Sequence, residues 1–149
     1  MKNFRFILIS TIYLLSFHLF VGCNSSNDIP TKSKICPECN MPLPKDNKHT
    51  AYIEESNHFD DIGCLILWSN TNRMELDSRI VYIFSNDTKR YINALMAHYK
   101  IDEKTPMNYG FSAYEKETNG TIDFKEMQLR MLRGEHLANP KIRKKILGY

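Results

Sequence analysis

The sequence predicts an α+β fold, because short strand signals alternate with capped helix signals and because its two halves echo each other. The strongest strand is Arg79 to Phe84 (RIVYIF), β-branched and aromatic throughout, ending at the turn Ser85-Asn86-Asp87. Further strands are expected at Thr50 to Glu54 and Phe111 to Lys116. A helix is expected after Asp60 or Asp61, either of which can cap it, with Ile62, Leu65, Ile66 and Trp68 at helical spacing. A second, short helix is expected to carry Tyr91, Ile92, Leu95, Met96 and Tyr99 on one face. The last begins at the capping pair Asp123 and Glu126, carries Phe124, Met127, Met131 and Leu132, and stops at Gly134. The echo is Ala51-Tyr52, Asn57, Asp61 and Leu67 recurring as Ala113-Tyr114, Asn119, Asp123 and Leu129, each 62 positions later. Five identities in such a span are also open to chance; if the echo is a true repeat, the chain is two small α+β units packed together.

The chain opens with Lys2 and Arg5, an apolar run from Phe6 to Val21, and Gly22-Cys23. This is the layout of a secretory signal, and the run is short for a membrane-spanning helix. A small residue before a cysteine, preceded by Phe20 and Val21, resembles a bacterial lipobox in which Cys23 is acylated and becomes the mature N-terminus. An ordinary signal peptide or an uncleaved anchor are the alternatives, and each of the three places the rest of the chain outside the cytoplasm. The expected organisation is therefore a signal at 1–22, an acylated Cys23 with a polar tether to residue 34, and one folded domain at 35–149.

Without residues 1–22 the chain has 18 bases against 17 acids, a net charge of +1. No nucleic-acid or polyanion partner is implied. The basic run Arg143-Lys144-Lys145 near the end reads most simply as a solvated helix face.

The segment most able to carry chemistry is Cys36-Pro37-Glu38-Cys39-Asn40-Met41-Pro42. A C-x-x-C pair alone admits a disulfide, half of a zinc site, a thiol-redox centre or a copper site. Met41 favours copper, since a thioether is a soft donor suited to Cu(I) and a poor partner for Zn²⁺. Pro37 and Pro42 keep the segment extended or turned, and in extended backbone Cys39 and Met41 share a face. The same prolines oppose a thioredoxin-like centre, where the C-x-x-C opens a helix. A zinc ribbon needs a second ligand pair, and Cys64 stands alone in the sequence.

Two further segments are candidates. In Thr105-Pro106-Met107-Asn108-Tyr109-Gly110 the flanking Pro106 and Gly110 shape a loop around Met107, the best distant complement to Cys39 and Met41, although spacing leaves a filler role open. Of the other methionines, Met96, Met127 and Met131 are expected in the core, and Met74 lies in a polar linker. In Phe59-Asp60-Asp61-Ile62-Gly63-Cys64 the cysteine falls in the first turn of the expected helix, as a ligand, a disulfide partner or a small buried hydrophobe. His49 and His58 flank the first strand and are able to complete a metal site, while His98 and His136 read as solvated.

Together the lipobox at Cys23, CPECNM at Cys36 to Met41, FDDIGC at Phe59 to Cys64 and TPMNYGFSAY at Thr105 to Tyr114 resemble the NosL family of nitrous oxide reductase accessory proteins, over nearly the whole mature chain. The chain departs from that family's pattern at Asn40 and Asn108, where glycine is usual, and asparagine tolerates the left-handed backbone better than other non-glycine residues. The resemblance implies two related halves, each ββαβ, in one compact domain. It implies a lipid-anchored periplasmic protein that binds one Cu(I), is not an enzyme, and works with a membrane transporter complex in maturing nitrous oxide reductase. Cys39 and Met41 are then the firmest ligands, Met107 the next, and Cys36 and Cys64 less firm. The reading from another class is a periplasmic thiol-disulfide oxidoreductase using Cys36 and Cys39.

Overall fold

The strand signal in RIVYIF lies at the centre of the architecture. In the computed structural model, which describes residues 35–76 and 79–148, Val81–Phe84 is strand β3, flanked on one side by β1 (Ala51–Ile53) and on the other by β4 (Tyr91–Asn93). The short β2 (His58–Phe59) completes a four-stranded antiparallel sheet of order β2-β1-β3-β4. A separate antiparallel pair joins β5 (His98–Ile101) to β6 (Phe111–Tyr114). Helix α1 (Ile62–Thr71), α2 (Phe124–Leu132) and α3 (Pro140–Leu147) make this an α+β fold, with two sheets and three α-helices among the described residues. The described residues fall within one compact unit, Thr31–Tyr149. The signal, Cys23 and the tether through Lys34 lie outside the described residues. Among the described residues no helix is long and apolar enough to cross a membrane.

Strand alternation divides the four-stranded sheet into two faces. Ala51, Ile53, Val81 and Ile83 are buried in a core shared with Phe59, with Ile62, Leu65 and Ile66 of α1 and with Met127 and Met131 of α2. Each large side chain removed from water there contributes about 1.5–3 kcal/mol before entropy is subtracted. On the opposite face Tyr52 stacks on His58 and Tyr82, at centroid distances of 5.0 and 4.9 Å, and meets Tyr91 edge-on. Such cross-strand aromatic pairs hold the register of this short-stranded sheet.

Both expected caps form. Asp61 accepts from Gly63 N–H at the start of α1, and Asp123 accepts from Glu126 N–H at the start of α2. Gly134, at φ +73, follows α2 in the left-handed conformation that ends a helix. The repeated Ala-Tyr pairs lie in β1 and β6, so equivalent positions serve equivalent ends. The strand pairing differs between the halves. β1 is hydrogen-bonded on both sides, whereas β6 pairs with β5 and is bridged at Ala113 to Ser85, just after β3. The first half runs β-β-α-β-β, with β4 added at the edge of its sheet, and the second, from β5, runs β-β-α with no strand after α2 among the described residues.

One expected helix is absent. Residues 91–99 form β4, a 3₁₀ turn at Ala94–Met96 and the start of β5. Tyr91 and Ile92 pair with Phe84 and Ile83 of β3, and the Asn93 side chain caps the turn by accepting from Leu95 N–H. The apolar spacing of Tyr91, Ile92, Leu95, Met96 and Tyr99 fits a helix, but pairing with β3 overrides that local pattern and the residues do not share one face. Tyr99 is fully buried, donating from its hydroxyl to the Ala94 carbonyl, whereas Met96 is 78% exposed and is not a core residue. Met127 and Met131 are buried as expected, and Met74 packs against the core rather than lying free. Helix α3 buries no residue, as expected of a solvated basic face.

Candidate metal centre

The segment that carries the C-x-x-C pair is a closed turn. Cys36 N–H donates to the Met41 carbonyl at 2.8 Å and Asn40 N–H donates to the Cys36 carbonyl at 2.9 Å, inside a bridge from Ile35 to Pro42. Asn40 supplies the left-handed residue that this closure requires, at φ +60. The extended backbone that would place Cys39 and Met41 on one face gives way to this turn. Cys36 is directed into the core, Cys39 is half-buried and Met41 is 41% exposed.

From the β2–α1 junction come the other donors. Only one of two adjacent acids can serve as the N-cap, and that one is Asp61. Asp60, one residue earlier, is left pointing inward and is 0% exposed. Cys64, three residues beyond the cap, is buried in the first turn of α1, where the helix dipole favours a thiolate. The sulfurs of Cys36, Cys39 and Cys64 and an Asp60 carboxylate oxygen all lie within 4.8 Å of one another. The three cysteines are free thiols. Cys39 Sγ donates to Asp60 Oδ1 at 3.2 Å, while Asp60 Oδ2 is buried with no hydrogen-bond partner. A buried carboxylate oxygen without a partner costs free energy, and a metal ion among the three thiols would satisfy it.

Charge is unevenly distributed among these groups. The Cys36 thiol is lowered to about 7, foremost by its hydrogen bond with Cys64, with burial opposing. Burial pushes Cys39 up to about 12, aided by the Asp60 carboxylate. Cys64 is raised strongly, first by that hydrogen bond to Cys36 and then by burial. Cys36 is thus the first thiolate of the set, and the other two sulfurs must shed protons when a metal enters.

The loop with Met107 is fastened to the same end of α1. Asp61 accepts from Met107 N–H at 3.2 Å as well as from Gly63 N–H at 2.9 Å, and burial, opposed first by a hydrogen bond from Thr105, raises its carboxyl to about 6. Asn108, at φ +56, turns the loop. The Tyr109 ring lies over Gly63, its phenol pushed up to about 12 by burial and then by the charges of Cys64, Asp61, Glu38 and Cys39. Met107 is half-buried beside this loop's anchor and packs against the core.

The histidines lie elsewhere. His49 is buried with Nε2 3.7 Å from Glu103, and His58 is buried under Tyr52. His136, expected in solvent, is half-buried edge-on to Tyr109, because the segment after α2 folds back with Leu137 N–H donating to the Tyr109 carbonyl. His98 is half-buried on β5.

Of the expected residues, the structure gathers Cys36, Cys39 and Cys64 into one donor set, brings the Met107 loop to its border, and leaves Met41 on the exposed rim of the turn. Cys64 and Asp60 supply the second pair that Cys36 and Cys39 lack in the sequence. In the sequence Asp60 reads as an alternative cap rather than a donor, and its signal is the acid left over once Asp61 caps the helix. Three thiols and one carboxylate around a common centre fit a metal ion, either a soft ion held by sulfur or a tetrahedral ion held by all four. Comparison of the chain with known protein families, with curated proteins and with solved structures gives no match.

Proposed function

We propose that the chain is a Cu(I)-binding accessory protein of the NosL type, held on the periplasmic side of a membrane by a lipid on Cys23. It carries copper as cargo to the transporter complex that matures nitrous oxide reductase, and catalyses no reaction itself. The observation that carries the metal part of this reading is the meeting of three free thiols, those of Cys36, Cys39 and Cys64, within 4.8 Å of one another. Copper is favoured because the donors at the centre and rim are sulfur: Cys39 with Met41 and Met107, supported by Cys36 and Cys64. Exposure grades outward from buried Cys36 and Cys64 through half-buried Cys39 to Met41. That gradient suits handover, since an acceptor's soft ligands can displace the donors one at a time from the outer side.

The test is metal analysis of the chain purified anaerobically with Cu(I) and Zn²⁺ both offered. One Cu(I) per chain is expected, and a strong preference for Zn²⁺ rules out the copper carrier. Met41→Leu with Met107→Leu conserves volume and removes only soft donors. This pair is expected to weaken Cu(I) binding about tenfold or more with the fold unchanged. Equal affinity in the double variant removes the thioethers from the ligand set. For the anchor, Cys23→Ser is expected to lose lipid labelling and leave the membrane fraction. Retention without label points instead to an uncleaved apolar anchor.

A thiol-disulfide oxidoreductase has one observation in its favour, the Cys36 thiol at about 7 beside Cys39. Against it, Cys36 is fully buried and its turn opens no helix. Turnover of a disulfide substrate through Cys36 and Cys39 would favour this second reading.

A further inference from the structure

Cu(I) does not require Asp60. A monovalent soft ion is served by two or three sulfurs, and the carboxylate is a hard donor. Asp60 does not cap α1, since Asp61 does, and it forms no ion pair among the described residues. Its Oδ1 accepts from Cys39 Sγ at 3.2 Å, yet Oδ2, equally buried, has no hydrogen-bond partner. Three thiols and this carboxylate form a complete four-donor set within 4.8 Å, the number and type that a tetrahedral divalent ion takes when its site is closed to solvent.

We propose that Asp60 is the selectivity-determining residue of the site: it is the fourth ligand when a tetrahedral divalent ion such as Zn²⁺ occupies Cys36, Cys39 and Cys64, and it contributes nothing to Cu(I). The inference rests on the reading that the cargo is Cu(I). It gives the centre two loading states, a sulfur-only state for the monovalent ion and a Cys₃Asp state for a divalent one. Asp60 then governs how well a divalent ion competes.

The mature full-length chain in detergent is titrated anaerobically with Zn²⁺, with Co²⁺ as a spectroscopic probe, and with Cu(I), each against a chelator of known affinity. Asp60→Asn keeps size and an acceptor for Cys39 and removes the charged donor. It is expected to lower Zn²⁺ affinity about 100-fold or more while changing Cu(I) affinity less than about threefold. Asp60→Cys restores a fourth donor. It is expected to return Zn²⁺ affinity to within about tenfold of the parent and to add thiolate-to-metal charge-transfer intensity to the Co²⁺ spectrum. A residue that merely supports the fold would not be rescued by cysteine. The proposal is overturned if Asp60→Asn weakens both ions equally, if it weakens neither, if Asp60→Cys does not restore Zn²⁺ binding, or if the parent chain binds no divalent ion. Absence of Cu(I) binding in the parent chain, with the Zn²⁺ results as expected, refutes the carrier reading and leaves Asp60 a zinc ligand.

Discussion

Cys39→Ser is expected to lower Cu(I) affinity about 100-fold or more, close to 2.7 kcal/mol, with little change in stability. Cys39 is the one thiol of the three with any exposure, so it is both a donor and the sulfur first reached by an incoming or departing ion. Serine is nearly isosteric, and its hydroxyl can still donate to Asp60 as Cys39 Sγ does. Loss of fold is therefore not expected to account for loss of metal. Thermal unfolding of the metal-free variant within about 1 kcal/mol of the parent separates the two effects. Cys36→Ser and Cys64→Ser are poorer tests, because each leaves a hydroxyl at a fully buried position. In cells limited for copper, the carrier reading expects Cys39→Ser to leave nitrous oxide reductase exported but short of copper, with added copper restoring part of it. Normal copper content and activity of the reductase in that strain would mean that this chain is not its supplier.

Gly63→Ala is expected to destabilise the protein by about 1–3 kcal/mol, the usual range for an overpacked core. Helix propensity alone predicts the opposite sign, a gain of up to about 1 kcal/mol for alanine inside a helix. Packing decides, because a Cβ on Gly63 falls 2.2 Å from Cδ2 of Tyr109 and 2.8 Å from two further ring atoms. The ring has no easy way out. The ring also meets His136 edge-on, with centroids 4.9 Å apart, and the Tyr109 carbonyl accepts from Leu137 N–H at 2.9 Å. The loop from Thr105 to Gly110 must therefore shift as a unit, taking Met107 with it and straining the bond from its N–H to Asp61. Cu(I) affinity and stability should fall together. Adding Tyr109→Leu removes the clashing ring, so Gly63→Ala should cost less in that background than in the parent, a non-additivity that marks direct contact. If Gly63→Ala raises the melting temperature instead, the loop does not pack on α1 as described.

Much of the local structure was legible before any tertiary contact was known. Caps at Asp60 or Asp61 and at Asp123 were legible, as were RIVYIF as a strand and Asn40 and Asn108 as residues able to turn left-handed in place of glycine, which they do at φ +60 and +56. These features depend on a residue and its near neighbours, whose side chains restrict φ and ψ or satisfy the free N–H groups of a helix end. Identification of C-x-x-C-x-M as a sulfur-rich candidate was legible for the same reason, since a soft donor is soft in any fold. The apolar spacing of residues 91–99 fits a helix, and only the pairing of Tyr91 and Ile92 with β3 overrides it. The centre itself was decided by packing. Cys64 is 28 positions from Cys36 and looks solitary in the chain, but burial of α1 against the sheet brings its first turn onto the C-x-x-C turn. Asp60 became a donor only because Asp61 took the helix end and the fold closed over both. Caps, turns and donor chemistry are written residue by residue, whereas which donors meet, and which carboxylate oxygen is left without water, follows from long-range burial that no local pattern encodes.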